Sequence, residues 1–424
     1  MEEHKDIQNP ISEQPAPQIV SQSTKKRSSY LLLWVLLGIT ILGGAGWVGY
    51  QQFLALNAIK LPDKQTLTNL HTYFSYTPEE LQILKQTNNG PQAKTTIDDL
   101  YQGEEKAYKL VAKEQSVDVY ASKVYAYVTV ARRDQLLLTK SVYHDFRGDT
   151  SAISKKVLCE FYPRECNTIP VSATDSFSEK LSDIVMQKVK QRIAQDFAMT
   201  QNYSLKEGQQ YWQSTEPKIG LDAGSYKPWS LEKGDQFRVP ANSDFAAGKY
   251  GTQLSLTKKA LNTITSDQRK AVIYWAGGPG TKTPPGIWLD LSGEYMINQH
   301  TSVEKYMDTQ ALLSMAMADA VIAVFDSKYT YQVIRPFMLD SSIKTVMPTP
   351  NHPSYPAGHS TISNAALAVL DKQLPANAKE WKRLSMEAGL SRVWGGIHYT
   401  VDDEQGSLLG KQVGEYTLTR FNKR

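Results

Sequence analysis

Apolar residues recur at intervals of three and four along most of this chain, a spacing that is typical of amphipathic helices. The clearest case is SFSEKLSDIVMQKVKQRIAQDF at 176–197, and the segments 117–139, 301–325, 360–370 and 405–421 have the same pattern. Alternating patterns typical of strands are scarce, and stretches rich in glycine and proline occur at 219–247 and 276–287. The sequence therefore predicts an all-α protein, a helical bundle that carries long loops.

One apolar segment near the N-terminus has no polar face. Residues 28–59 carry no charge, and within them 30–50 read YLLLWVLLGITILGGAGWVGY, directly after Lys25, Lys26 and Arg27. A run of this length spans the roughly 30 Å hydrocarbon core as a helix, and positive flanks stay in the cytoplasm. We expect a single signal-anchor helix at 28–50 after a disordered cytoplasmic tail at 1–27. A cleaved signal peptide is the less favoured alternative, because its apolar region is shorter, roughly 7–15 residues.

The rest of the chain is then exported, to the periplasm or the cell exterior. Residues 51–95 predict a stalk with one short helix (TPEELQILKQ), and residues 96–424 predict the catalytic helical domain. Cys159 and Cys166 fall in that domain, and an oxidising compartment permits a disulfide between them. Two free thiols are the alternative.

The composition narrows the classes of function. The chain has 424 residues, 41% of them hydrophobic, which supports a large core, and its net charge of +4 does not indicate a nucleic-acid partner. Two cysteines cannot form a Cys-only zinc site, and no H-E-x-x-H spacing occurs. The segment GGPGTKT is not a P-loop, because Lys282 follows Thr281 rather than glycine.

Three short blocks near the C-terminus combine permanent cations with histidines. They are KYTYQVIRP with Lys328, Arg335 and Pro336; PSYPAGHS with Pro356, Ala357, Gly358, His359 and Ser360; and SRVWGGIHYTVD with Ser391, Arg392, His398 and Asp402.

The cations in these blocks predict an oxyanion site. Lys328 and Arg335 are seven residues apart, which is two turns, so both can lie on one helix face, and Arg392 adds a third cation. Gly358 and His359 directly precede the apolar helical run STISNAALAVL. Backbone amides at a helix N-terminus bind anions, and glycine lets the ligand approach closely.

The two histidines predict the chemistry. If its segment is helical, Asp402 lies on the same face as His398 and accepts from one ring nitrogen, which leaves the other nitrogen as a nucleophile. His359 can then protonate the leaving oxygen as general acid. Together with the cations, these groups predict phosphoryl transfer through a phosphohistidine.

The three blocks resemble the shared signature of type-2 phosphatidic acid phosphatases, bacterial nonspecific acid phosphatases and vanadium-dependent haloperoxidases. The pattern is Lys-x6-Arg-Pro, then Pro-x-Gly-His, then Ser-Arg-x5-His-x3-Asp, and it covers 328–402. WAGGPGTKTPPGIW at 275–288 and GIHYTVDDEQGSLLGKQVG are similar to the haloperoxidase-like branch. The resemblance implies a helical bundle of that type.

The resemblance also implies residue roles. His398 is the phosphate nucleophile or the vanadate ligand, and His359 is the acid/base. Lys328, Arg335, Arg392 and the Gly358 amide bind the oxyanion, while Pro336, Ser360 and Ser391 support them. Vanadate is the cofactor of a haloperoxidase, whereas a phosphatase needs none.

Two positions depart from the family pattern. Ala357 stands where serine usually precedes Gly-His, which removes one hydrogen bond to a charged oxygen, worth about 1.5–3 kcal/mol. Ile287 stands where haloperoxidase-like relatives often have histidine. Because a haloperoxidase must retain vanadate between turnovers, the loss at Ala357 favours the phosphatase.

The favoured function is a membrane-anchored, metal-independent phosphoester hydrolase. A vanadium-dependent haloperoxidase that oxidises halide with peroxide is the alternative, and an inactive oxyanion-binding module is the second alternative. The expected partners are a phosphorylated small molecule or a lipid headgroup, and the membrane through one N-terminal helix. No nucleic-acid partner and no particular oligomeric state are predicted.

Overall fold

The computed structural model describes residues 59–87, 90–172, 175–197, 203–214 and 217–422. The chain divides into two units, Met1–Ala58 and Ile59–Arg424, and the fold described below is that of the second. The predicted tail at 1–27 and the predicted membrane helix at 28–50 lie outside the described residues.

The described residues are helical, as the periodicity predicts, and they contain no strand beyond two isolated bridges, Lys94 with Arg147 and Tyr211 with Val333. The α-helices in chain order are α1 Lys64–Asn69, α2 Ile97–Lys113, α3 Asp118–Tyr143, α4 Ser151–Phe161, α5 Ser176–Phe197, α6 Ser243–Ala246, α7 Gly251–Asn262, α8 Ser266–Tyr274, α9 Thr283–Asn298, α10 Val303–Tyr331, α11 Pro336–Leu339, α12 Gly358–Gln373, α13 Ala378–Trp394 and α14 Thr400–Phe421. Short 3₁₀ helices span Glu80–Gln86, Pro163–Thr168, Ala223–Ser225 and Pro375–Asn377.

Helix α10 is the core of the bundle and packs against α3, α12 and α14. It is long and apolar enough to cross a membrane, yet 94% of its most apolar window is buried inside the protein. Asp319 interrupts the apolar run, and its carboxylate accepts hydrogen bonds from the backbone amides of Trp229, Ser230 and Leu231. In this structure α10 is therefore a buried core helix.

Close contact between α12 and α14 brings together two of the sequence blocks. A Cβ added at Gly410 would lie 2.1 Å from the carbonyl oxygen of Thr361, and one at Gly406 would lie 2.6 Å from that of Ala357. Only glycine at these positions lets the two backbones approach so closely. The start of α12 consequently lies beside the segment that enters α14, and the amide of Ala357 donates to the carbonyl of Asp402.

The predicted stalk at 51–95 needs correction from residue 59 onward. Leu81 and Leu84 are each only 1% exposed and belong to the hydrophobic core. The amides of Tyr73 and Phe74 donate to the buried carboxylate of Asp134 in α3. These apolar side chains pack against the bundle, so the helical domain begins near Ile59 rather than at residue 96.

Cys159 at the end of α4 and Cys166 in the following 3₁₀ helix are joined by a disulfide. Their Cα atoms lie 4.7 Å apart, so the bridge closes a short local loop.

Candidate active site

A cavity of about 430 Å³ opens where the start of α12, the loop before it and the segment before α14 meet. Gly358, His359 and His398 line it, together with His352 and Met347. A larger cavity of about 830 Å³ lies elsewhere and contains none of the residues of the three blocks. Of the predicted site residues, Gly358, His359 and His398 therefore share the smaller cavity.

Asp402 binds and orients the ring of His398. Its Nδ1 lies 2.8 Å from Asp402 Oδ2, which also accepts from Ser354 Oγ at 2.5 Å and from the Tyr399 amide at 3.1 Å. With the Nδ1 proton donated to the carboxylate, Nε2 carries the ring's lone pair and can accept from Arg335 Nη1 at 3.3 Å. Burial, with Arg335 and Lys328 nearby, lowers the pKa of His398 well below its usual range, so the ring is neutral.

Asp402 itself is fully buried. Burial raises its pKa to about 6, although the hydrogen bond from Ser354 and the charge of Lys328 act in the opposite direction. Its second oxygen, Oδ1, is buried and has no hydrogen-bond partner among the described residues. All the donors thus converge on the one oxygen that holds His398.

Arg335 lies beyond the C-terminal end of α10. The helix ends at Tyr331, and Gln332 adopts a left-handed conformation with φ 54°, so the expectation that Lys328 and Arg335 share one helix face is wrong. Arg335 instead precedes α11, whose first residue is the buried Pro336. Its guanidinium donates to the carbonyls of His352 and Ile397, and its Nη1 lies 3.3 Å from His398 Nε2.

Lys328 is a fully buried ammonium at the end of α10. It donates to the carbonyl oxygens of Pro353 and Ser354 at 2.9 and 2.7 Å. Burial and the neighbouring charge of Arg335 lower its pKa well below the usual range. A negative charge in the cavity would offset both effects, because it favours the charged form of the amine.

Arg392 lies in the last turn of α13, on the side of His359. Its guanidinium donates to Ser391 Oγ and to the carbonyl of Val272, and it contacts the sulfur of Met347, a cavity residue. Burial lowers the pKa of Arg392 to about 9.

The start of α12 supplies amides and a second histidine. The helix begins at Gly358, two residues before the predicted run at 360–370, and a Cβ added there would meet no atom within 4 Å, so a ligand can approach this backbone. Ala357 at the N-cap provides no side-chain hydrogen bond. Ser360 is the third residue of this helix, and its Oγ donates to Asp403.

His359 Nε2 lies 2.7 Å from the carbonyl oxygen of Trp275, so this nitrogen carries a proton. Burial and the charge of Arg392 lower the pKa of His359 well below its usual range. A proton given to a substrate must therefore come from Nδ1, and a bound anion would favour placing it there.

The electrostatic balance favours an oxyanion ligand. Lys328, Arg335 and Arg392 are all buried, with 0% exposure. Asp402 and Asp118 are the carboxylates whose charges act on Lys328. Because buried charges need compensation, a tetrahedral anion between these cations, the Gly358 amide and His398 Nε2 completes the site.

Two further residues beside the site, His352 and Ser354, could not be identified from the spacing of the sequence motifs. His352 is 5% exposed, and its Nδ1 lies 3.0 Å from Arg335 Nη2. Ser354 links Asp402 to the loop before α12. Both lie in the PNHPSYPAGH segment, so their proximity to Gly358 was the available clue. Ile287, 5% exposed, packs in the core of the bundle.

Parts of this chain are similar to known proteins. Residues 309–424 match the model of the PAP2 superfamily. A non-specific acid phosphatase of Salmonella typhi is 32% identical over 119 residues, which is 27% of this chain and 46% of that protein. The match thus spans about half the length of that relative.

Among solved structures, a bacterial vanadium-dependent iodoperoxidase superposes with a TM-score of 0.64 at 20% identity, over 78% of this chain and 98% of that one. A holo-type bacterial vanadium-dependent chloroperoxidase gives a TM-score of 0.56 at 11% identity, over 78% and 96%. At these identities the likeness establishes the fold.

The described residues thus share the helical fold of these bacterial vanadium-dependent haloperoxidases. Over residues 309–424 the chain is similar to the PAP2 superfamily, and this C-terminal region carries the three sequence blocks.

Proposed function

We propose that this protein is a phosphoric monoester hydrolase that acts through a phosphohistidine at His398. The observation that carries the proposal is the pairing of His398 Nδ1 with the buried Asp402, which makes Nε2 the acceptor nitrogen of the ring, 3.3 Å from Arg335 Nη1. The acid phosphatase relative supports the same choice.

In the first step the Nε2 lone pair of His398 attacks phosphorus and forms an N–P bond. The bond from phosphorus to the ester oxygen breaks, and that oxygen takes a proton from His359 Nδ1. Lys328, Arg335, Arg392 and the Gly358 amide stabilise the charge on the equatorial oxygens. Asp402 stabilises the positive charge that develops on the ring of His398.

In the second step water replaces the alcohol. His359 Nδ1 accepts a proton as the water oxygen bonds to phosphorus, the N–P bond breaks, and its electron pair returns to His398. The product is inorganic phosphate, and His359 is protonated for the next cycle.

Vanadium-dependent halide oxidation is the second candidate. It is favoured because the superposition with the bacterial iodoperoxidase covers most of both chains. The donor set fits vanadate, because Gly358 leaves open space before its amide and His398 Nε2 is free to bind. Lys328, Arg335 and Arg392 would hold its oxygens. Vanadate supplies peroxide activation when it is bound. Against this candidate, Ala357 lacks the hydroxyl that helps to retain such a group.

We also propose that residues 28–50 anchor the domain in a membrane and that the domain is exported. The disulfide between Cys159 and Cys166 supports an oxidising compartment. The substrate is then a phosphorylated small molecule or a lipid headgroup that reaches the cavity from solution or from a membrane surface.

The test uses the full chain and p-nitrophenyl phosphate with a chelator present. Hydrolysis inhibited by vanadate, and abolished by His398→Ala with the fold retained, is the expected result. An unchanged rate in that variant contradicts the nucleophile assignment. Robust bromide or iodide oxidation after vanadate loading, without hydrolysis, supports the second candidate instead. Vanadate binding without either activity indicates an oxyanion-binding module.

A further inference from the structure

The cavity that His359 and His398 line also has a carboxyl group in its lining, that of Asp118. Its volume of about 430 Å³ lies in the range of about 300–1,000 Å³ that accommodates whole small molecules. A cavity of this size has room for the alcohol part of an ester as well as for its phosphate.

Asp118 is the first residue of α3, and Val117 precedes it at the N-cap. Its Oδ1 accepts a hydrogen bond from the Val119 amide at 2.9 Å. Within the described ranges no Lys or Arg nitrogen pairs with it inside the 4.0 Å ion-pair distance. Lys328 is near enough to influence its pKa, but that ammonium already donates to two carbonyl oxygens.

The start of a helix favours the ionised form of Asp118, because the amides there carry partial positive charge. Burial acts in the opposite direction and raises its pKa. A cation placed beside the carboxylate resolves this conflict, since it restores the interaction that burial removes.

Much of the lining that Asp118 shares is apolar. The apolar lining residues include Val117, Ile219, Pro284, Phe325, Pro348 and Pro350. An alkylammonium group suits this lining, because its methylene groups pack against apolar side chains while its charge meets the carboxylate and an aromatic ring. A second anionic group on the substrate would instead be repelled by Asp118.

We propose that Asp118 binds the ammonium group of the substrate, which is the phosphomonoester of a short amino alcohol. This inference rests on the proposed phosphatase function, and it adds the substrate class. The phosphate binds at His398 and the buried cations, the carbon chain crosses the apolar wall, and the ammonium group binds at Asp118. Asp118 is then a specificity residue that takes no part in the transfer step.

Two esters that differ only in the ammonium group test this directly, 2-aminoethyl phosphate and ethyl phosphate. The wild-type protein should hydrolyse the amino ester with a kcat/KM about 10–100-fold higher, the range of one hydrogen bond to a charged group. Asp118→Asn should remove that preference, so that the two esters are hydrolysed with similar kcat/KM values. Asp118→Glu should restore part of it.

Asp267→Asn is the matched control, because Asp267 lies in α8 with a side chain 90% exposed, and its preference should equal that of the wild type. Calorimetric titration with the two esters separates this proposal from the phosphatase assignment. Tighter binding of the amino ester, lost in Asp118→Asn, supports the ammonium site even if neither ester is hydrolysed. Equal binding of both esters by the wild type, or an equal loss on both in Asp118→Asn, overturns it.

Discussion

Replacing Asp402 with asparagine removes one charge from the support of His398 and nearly preserves the shape of the side chain. In the wild type, Oδ2 accepts from His398 Nδ1, from Ser354 Oγ and from the Tyr399 amide. An asparagine oxygen in that place can keep these bonds. Its NH₂ group then occupies the position of Oδ1, which is buried without a partner among the described residues.

The magnitude follows from the charge that forms during phosphoryl transfer. In the proposed mechanism, the ring of His398 becomes cationic as the N–P bond forms, with the carboxylate 2.8 Å from Nδ1. Two unit charges about 4 Å apart attract by about 4 kcal/mol at an effective dielectric constant of 20. Because the asparagine dipole recovers part of this, we expect kcat to fall about 10²–10³-fold, at 1.36 kcal/mol for each factor of ten.

Steady-state hydrolysis of p-nitrophenyl phosphate measures this effect, with thermal unfolding recorded for each variant. Asp403→Asn is the matched control, because Asp403 is the next residue in α14 and binds Ser360 rather than His398. Its kcat should stay close to the wild-type value. A wild-type kcat in folded Asp402→Asn would refute the role of the carboxylate in stabilising the charged ring.

Three further predictions concern the anion, pH and the disulfide. Ala357→Ser should tighten vanadate inhibition about 10–100-fold, because it adds a hydrogen bond to a charged oxygen. An unchanged inhibition constant would mean that a hydroxyl at this position does not bind the anion. In a pH profile, kcat/KM should fall below about pH 6, since burial raises the Asp402 pKa to about 6 and the protonated group no longer holds His398 in its reactive form. A kcat/KM that stays constant down to pH 5 would contradict the role of ionised Asp402. Because its pKa is raised in the folded state, the contribution of Asp402 to stability is present below pH 3.8 and lost as the pH rises through about 6. Titration of this group therefore does not itself unfold the protein in acid. Replacing Cys159 and Cys166 by serine should lower the free energy of unfolding by about 2.5 kcal/mol, the chain-entropy cost of so short a loop, and denaturant titration showing no loss would mean that the bridge does not constrain the unfolded chain.

The helical fold follows from the 3.6-residue periodicity. For most of their ends, the bounds of α3, α10, α12 and α14 differ from the predicted ranges by a few residues. The domain boundary could not be predicted in the same way. The segment 59–87 has few regular elements, and only its contacts with Asp134 and the core show that it belongs to the bundle. Such contacts between distant parts of a chain leave no local pattern.

The site residues were predicted from their spacing, but two of the geometric reasons were wrong. Lys328 and Arg335 approach the cavity because α10 ends between them. His398 meets Asp402 although it precedes α14, since the third residue of that helix turns back towards the N-cap. Asp118, more than 200 positions earlier, has no motif around it, so only the folded chain places it in the cavity.

The central claim is that His398 carries the phosphoryl group during turnover. Rapid-quench trapping with a ³²P-labelled ester, followed by peptide mapping, tests it most directly. The expected result is a label that is labile to acid and stable to alkali, located on His398 and absent from His398→Ala. Turnover without labelled protein, or a label on another residue, would contradict the mechanism.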